Sequence, residues 1–160
     1  RKIPGVYDVK GLGYNYRMTD FQAALGAGQM SRYNSNLSRR KKNAKLYSDL
    51  LSDLDGISYI PYSDNNSYFL FQILLSESID RDAFLLYLKE KGIGFSIHYA
   101  TPVPLMSYYR RKYDFRSDQF PNALNYGRQS VSLPVHPKLT ESDILYVCET
   151  VKKYLSSKNL

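Results

Sequence analysis

The sequence predicts an α/β sandwich of the α+β kind, a small sheet covered on one face by helices and led by a long N-terminal helix. Three observations predict it. A strongly capped helical stretch begins at Thr19. Short apolar runs, each closed by proline or glycine, then alternate with segments of helical period. The resulting order is helix, strand, strand, helix, strand, short helices, strand, helix, which gives every apolar face a layer to pack against.

Residues 1–18 read as an irregular leading segment, because Pro4, Gly5, Gly11 and Gly13 break any period. Thr19 and Gln22 have capping-box spacing, so a hydroxyl and an amide can satisfy each other's free backbone N–H groups. The helix they start is expected to run to about Leu54, with Phe21, Leu25, Met30, Leu37, Ala44, Tyr47 and Leu51 among its apolar positions. Gly26 and Gly28 weaken it by about 1 kcal/mol each relative to alanine. Asn34-Ser35-Asn36 is the expected place for a kink or a break into two helices. Asp55-Gly56 closes the stretch.

Ile57 to Tyr62 reads as a short strand closed by Pro61, and Asp64-Asn65-Asn66 as a turn. Tyr68 to Leu75 is a continuous apolar run interrupted only by Gln72, as in a buried strand. Asp80 opens a helix with Phe84, Leu85 and Leu88 facing inward and Gly92 as its stop. Ile93 to Tyr99 is expected to form a strand ended by Pro102 and Pro104. Short helices follow over Met106–Tyr113 and Phe120–Gly127, the second with Pro121 in its first turn. Ser130–Leu133 is a last strand. Thr140 to Asp143 is a capped, acidic first turn, and Ile144, Val147, Val151 and Leu155 carry the final helix. The tail from Ser156 is expected to fray.

The chain of 160 residues has 22 Lys and Arg against 15 Asp and Glu, a net charge of +7. Such a charge suits nucleic acid, anionic lipid or a phosphate-bearing ligand. Arg39-Arg40-Lys41-Lys42 reads as a solvated helix face, and no nucleic-acid-binding signature accompanies it, so no nucleic-acid partner is expected. The longest apolar run is far too short to cross a bilayer, so no membrane partner is expected. Cys148 is the only cysteine. An internal disulfide is thereby excluded, and a reducing, cytoplasmic setting is expected. Two distant histidines and one cysteine make no metal-ligand set. Sixteen tyrosines and no tryptophan offer many rings whose hydroxyls need partners at surfaces and pockets, although a compositional bias explains the count equally well.

Six segments carry chemistry in order along the chain. They are Gly13-Tyr14-Asn15-Tyr16-Arg17-Met18 with Ala23-Ala24; Gln29-Met30 with Arg32; Arg39-Arg40 with Asn43-Ala44 and Tyr47; Arg81-Asp82 through Lys91-Gly92-Ile93; Ile97-His98-Tyr99 with Pro102; and Ser132-Leu133-Pro134 with Pro137, Leu139-Thr140 and Asp143. Together they closely resemble the sugar aminotransferases of the DegT/DnrJ/EryC1/StrS family, which use pyridoxal phosphate (PLP).

The resemblance implies the C-terminal domain of a fold-type I PLP enzyme, with residues 1–18 as the loop-bearing segment and residues 19–160 as the small domain. It implies that Asn15 binds the cofactor phosphate of a neighbouring subunit, that Arg17 contacts phosphate or braces the loop, and that Tyr14, His98, Tyr99 and Tyr108 line the substrate site. The partners it implies are a nucleotide-sugar, an amino-acid donor and a second copy of the chain in a homodimer. The family's PLP-binding lysine and its large domain lie upstream of the first motif, so no catalytic residue is expected here. Lys2 and Lys10 read as solvated. One departure stands out. Where the family places a second histidine after the His-Tyr-x-Pro segment, this chain has Pro102-Val103-Pro104-Leu105-Met106, and His136 is a poor replacement. Two rival readings are a PLP-dependent sugar dehydratase of the same family, in which histidine replaces the lysine, and a stand-alone basic binding module.

Overall fold

The computed structural model describes residues 10–14 and 16–158. By compactness the chain divides into residues 1–34 and residues 35–160. The first helix, α1, spans Asp20–Leu50 and contributes to both. Its expected capping box is present: the Thr19 N–H donates to Gln22 Oε1 at 3.0 Å and the Gln22 N–H donates to Thr19 Oγ1 at 3.3 Å.

Helix α1 runs unbroken through Asn34-Ser35-Asn36, against expectation. Each such residue costs only a few tenths of a kcal/mol of helix propensity, too little to interrupt a helix propagating from both sides. It also stops at Leu50 rather than at Leu54. The chain turns there through two left-handed residues, Asp53 (φ 57°) and Gly56 (φ 86°).

Three antiparallel strands follow: β1 (Ile57–Tyr59), β2 (Phe71–Leu75) and β3 (Ser130–Leu133), in the order β1-β2-β3. The register sets Phe71 opposite Leu133, Gln72 opposite Ser132 and Ile73 opposite Val131. Strands β1 and β2 are shorter than the apolar runs that predict them. Between them Tyr62 stacks on Tyr68 at 5.3 Å, Tyr68 takes φ 47°, and the Ser63 N–H donates to the Tyr68 hydroxyl. A positive φ cannot be carried into a strand, so β2 begins only after this loop.

Helix α2 (Arg81–Glu90) is capped by Asp80, whose carboxylate accepts from the Asp82 and Ala83 N–H groups, and it ends before Gly92 at φ 71°. The predicted strand over Ile93–Tyr99 is absent except for one bridge between Ser96 and Ser132. Its neighbours find partners elsewhere. The Ile93 N–H donates to the Leu88 carbonyl, and the His98 carbonyl accepts from the Gln72 amide. A short turn at Val103–Leu105 leads to α3 (Ser107–Tyr113), and α4 (Pro121–Gln129) runs directly into β3. Helix α5 (Glu141–Ser156) starts with a capping box between Thr140 and Asp143. Of the tail expected to fray, residues 159–160 lie outside the described residues.

One face of the sheet builds the core. Phe71, Ile73, Leu75, Val131 and Leu133 pack in a cluster with Ala44, Tyr47 and Leu51 from α1 and its end, Phe84 and Leu88 from α2, and Ile144, Val147, Val151 and Leu155 from α5. Tyr47 stacks on Phe71 with ring centres 4.8 Å apart. Each large apolar side chain buried this way stabilises by about 1.5–3 kcal/mol.

The opposite face is covered as well. Every residue of β3 is buried, and α4 packs beside the segment following His98. A Cβ on Gly127 would lie 2.6 Å from the Ala100 carbonyl oxygen, so only glycine lets α4 approach this closely.

Candidate functional site

Period two in the sheet sends alternate residues to opposite faces. Phe71, Ile73 and Leu75 enter the core, and Gln72 and Ser132, paired across β2 and β3, carry their polar groups to the other face. There they hold His98. Its Nδ1 shares a hydrogen bond of 2.9 Å with Ser132 Oγ. The Gln72 side-chain amide donates to the His98 carbonyl at 3.2 Å, and Gln72 Oε1 accepts from the Tyr126 hydroxyl at 2.8 Å. The backbone of Ser132 bonds in turn to Ser96, two residues before the histidine.

This arrangement has a chemical consequence. With Nδ1 engaged by Ser132, the second ring nitrogen of half-buried His98 is the one available to a ligand, as donor or acceptor according to the tautomer. Each fixing hydrogen bond contributes about 0.5–1.5 kcal/mol. The ring is thus oriented before any ligand arrives, as a positioned binding group must be.

The second compact unit also contains a cleft of about 600 Å³, which His98 lines with Ser96, Arg40, His136, Phe69 and Phe95. Tyr99 is 73% exposed, with its ring edge-on to His98 at 5.4 Å. Tyr108 does not line this cleft. It is exposed on α3, edge-on to Tyr109, and the Lys112 ammonium lies 5.6 Å from its ring centre.

In the first unit Tyr14 and Tyr16 stack with ring centres 5.5 Å apart, and they border an open hollow with Gly13 and Arg17. Arg17 is exposed and enters no ion pair among the described residues. Asn15 lies outside the described residues.

Sequence reasoning missed Gln72, Ser132 and Tyr126 as supports of His98. Gln72 was visible as the single polar interruption of an apolar run. The pairing that gives it a purpose is not local. The solvated-face reading of Arg39-Arg40-Lys41-Lys42 holds for exposed Arg39 and Lys42 and fails for Arg40 and Lys41, which are half-buried. Lys41 donates to the Asp64 carbonyl. A helix with one buried face draws neighbouring residues toward it whatever their type.

Cys148 is unsuited to nucleophilic chemistry, because burial pushes its thiol up to about 12 and leaves almost no thiolate at neutral pH. Among the described residues no three His, Cys, Asp or Glu side chains are grouped to hold a metal ion, and no helix is long and apolar enough to cross a membrane.

Comparison with known proteins bears on this geometry. The model of the DegT/DnrJ/EryC1/StrS aminotransferase family matches residues 3–152. The spore coat polysaccharide biosynthesis protein SpsC of Bacillus subtilis is 30% identical over 91% of this chain and 39% of its own length. The GDP-perosamine synthase of Escherichia coli O157:H7 is 28% identical over 92% of this chain and 39% of its own. Spr1654 of Streptococcus pneumoniae, solved in a PLP-form, superposes with a TM-score of 0.82 at 27% identity, covering 98% of this chain and 40% of that one. The chain therefore spans about two fifths of the relatives it matches. A match over nearly its whole length places it in the DegT/DnrJ/EryC1/StrS aminotransferase family.

Proposed function

We propose that this chain is the C-terminal part of a PLP-dependent aminotransferase that moves an amino group from an amino acid, glutamate being the expected donor, to a nucleotide-linked keto-sugar. The product would serve surface polysaccharide or antibiotic sugar synthesis. The observation that carries the reading is the oriented His98 beside exposed Tyr99, inside a family match covering residues 3–152.

The residues of the first unit fit the phosphate end of the cofactor. Gly13, Tyr14, Tyr16 and Arg17 line an open hollow, and residues with cationic and hydroxyl donors are what a phosphate needs. Asn15 and Arg17 would hold that phosphate, Asn15 toward a partner subunit. PLP, when bound, supplies an aldehyde that takes up the amino group and a ring that stabilises negative charge beside it. No lysine of this chain stands in the context that binds the aldehyde, so the chain alone is expected to be inactive.

What the chain contributes is recognition. Ser132 and Gln72 orient His98, whose free ring nitrogen hydrogen-bonds a sugar or phosphate oxygen. Tyr14, Tyr99 and Tyr108 offer rings to the sugar or base. The apolar side chains that the first half of α1 exposes support a homodimer with shared sites. The lone buried Cys148 suits a cytoplasmic setting.

The test uses the full-length enzyme. His98→Ala should slow the half-reaction with the keto-sugar about tenfold or more, the effect of one lost hydrogen bond to a charged or polar partner. It should leave the half-reaction with the amino donor near its original rate. Equal losses in both, timed separately by single-turnover spectroscopy, would mean that His98 supports the fold or the cofactor instead.

A further inference from the structure

Arg40 stands one turn before Asn43 on the same side of α1. The Asn43 side-chain amide donates to the His136 carbonyl at 3.2 Å and ties α1 to the loop leading into α5. Beside this tie the fold opens into the 600 Å³ cleft, which Arg40 lines. Its Nε is buried and has no hydrogen-bond partner, and among the described residues Arg40 enters no ion pair.

The other buried polar atoms without partners differ from it. The hydroxyls of Tyr47, Ser130 and Tyr154 are neutral and belong to largely buried residues. Arg81 has an unbonded Nε, but its Nη1 donates to the Gly127 carbonyl and the Asp82 carboxylate lies 3.6 Å away. Among the described residues Arg40 is thus the cation at a cavity whose buried Nε lacks a partner.

The cleft wall contains one carboxylate, that of Asp143. Its Oδ2 accepts from the Thr140 N–H at 2.8 Å and the Thr140 hydroxyl at 2.7 Å as the cap of α5, and it forms no ion pair with Arg40 among the described residues. Nothing else in the cleft wall carries a negative charge. A buried guanidinium donor without an acceptor is costly, and native folds supply such groups with partners. The remaining walls include Phe69, Phe95, Leu139 and Tyr146, and the volume falls within the range of ligand pockets.

We propose that this cleft is a binding site for an anionic oxygen group, carboxylate or phosphate, carried on an apolar or aromatic body, with Arg40 as its counter-ion. The planar guanidinium suits a bidentate oxyanion, and the apolar walls suit the body behind it. The proposal rests on the reading above in sharing its cleft, which His98 also lines, and the probes below test Arg40 without any turnover, so that a failure of one leaves the other standing.

The test is made on the full-length protein with nitrogen-15-labelled arginine, with three probes sharing one ring: phenyl phosphate, phenylacetate and benzyl alcohol. The Nε–Hε resonance of Arg40 should shift saturably with phenyl phosphate or phenylacetate, and the stronger of the two identifies the anion. Benzyl alcohol should leave it in place. Arg40→Gln should weaken binding of the effective probe about ten- to a hundredfold, the range for a hydrogen bond to a charged group. Arg39→Gln, at the exposed neighbour, should not change it. An Arg40 resonance unmoved by both anions at millimolar concentration, or moved equally by the alcohol, overturns the proposal, as does undiminished binding to Arg40→Gln. Should that variant fail to fold, the wild-type Arg40 resonance decides alone.

Discussion

The two halves of α1 share one helix and little else. From Ser35 onward the helix turns Asn43, Ala44 and Tyr47 into a core that contains side chains of every strand but β1 and of two other helices. Before Ser35 its large apolar residues lie open, Phe21 being 74% exposed, Leu25 55% and Met30 67%. The first half holds its shape through its capping box and its continuity with the rest of the helix, the second through packing. A helix can thus be specified by local chemistry at one end and by tertiary burial at the other. Among the described residues this apolar face is left open, the pattern of a surface that packs against other protein.

This contrast can be broken most sharply by truncating a ring on each half. Tyr47→Ala should destabilise the chain by about 3–5 kcal/mol, because it removes a fully buried ring stacked on Phe71. Phe21→Ala should change stability by less than about 0.5 kcal/mol. Urea unfolding of both variants checks the pair, and a comparable loss for Phe21→Ala would show that the first half is packed after all.

The caps sharpen the same comparison at a smaller scale. Thr140→Ala should cost about 0.5–2 kcal/mol of global stability, since α5 carries much of the core. Thr19→Ala removes a similar cap from α1, yet it should leave the urea midpoint near its original value and instead speed amide exchange over the first turns. A shifted midpoint for Thr19→Ala would mean that both halves of α1 unfold as one unit.

Acid should act on the second unit first. Hydrogen bonds from Thr140 hold the Asp143 carboxyl below the usual carboxylate range. A carboxyl depressed in the folded state stabilises above its unfolded value of about 3.9, and that contribution is lost as pH falls from there through the folded value. The stability of the chain should therefore slope downward below about pH 4, and Asp143→Asn should flatten the slope. An unchanged slope in that variant would assign the acid sensitivity to other carboxyls. The smallest effect belongs to Lys42→Ala, which removes an exposed ion pair to Glu141 of 3.6 Å. It should cost about 0–1 kcal/mol, and less at high salt.

What the sequence made legible follows the same division between local and distant causes. The caps at Thr19, Asp80 and Thr140 and the left-handed stop at Gly92 depend on residues within a turn of each other, and each is present, whereas α1 ends six residues before the Gly56 expected to close it. The strand expected over Ile93–Tyr99 depends on where its backbone groups find partners. The Gln72 side chain, distant in sequence, claims the His98 carbonyl. Arg40 and Lys41 resembled their charged neighbours and differ from Arg39 and Lys42 only because the fold turns them inward. His98 stood in a motif of the sequence, and its link to the hydroxyl, amide and phenol that hold it was not legible there, since they meet only once β2, β3 and α4 are assembled.

Strand β2 has a consequence for how such a domain can diversify. Its odd-numbered residues answer to the core and Gln72 answers to His98. With the proposed role of His98, a lineage could retune recognition by exchanging residues 72 and 132, which hold that histidine, while residues 71, 73 and 75 stay as they are. Two constraints thus run along one pair of strands, one face answering to the core and the other to the side chain of His98.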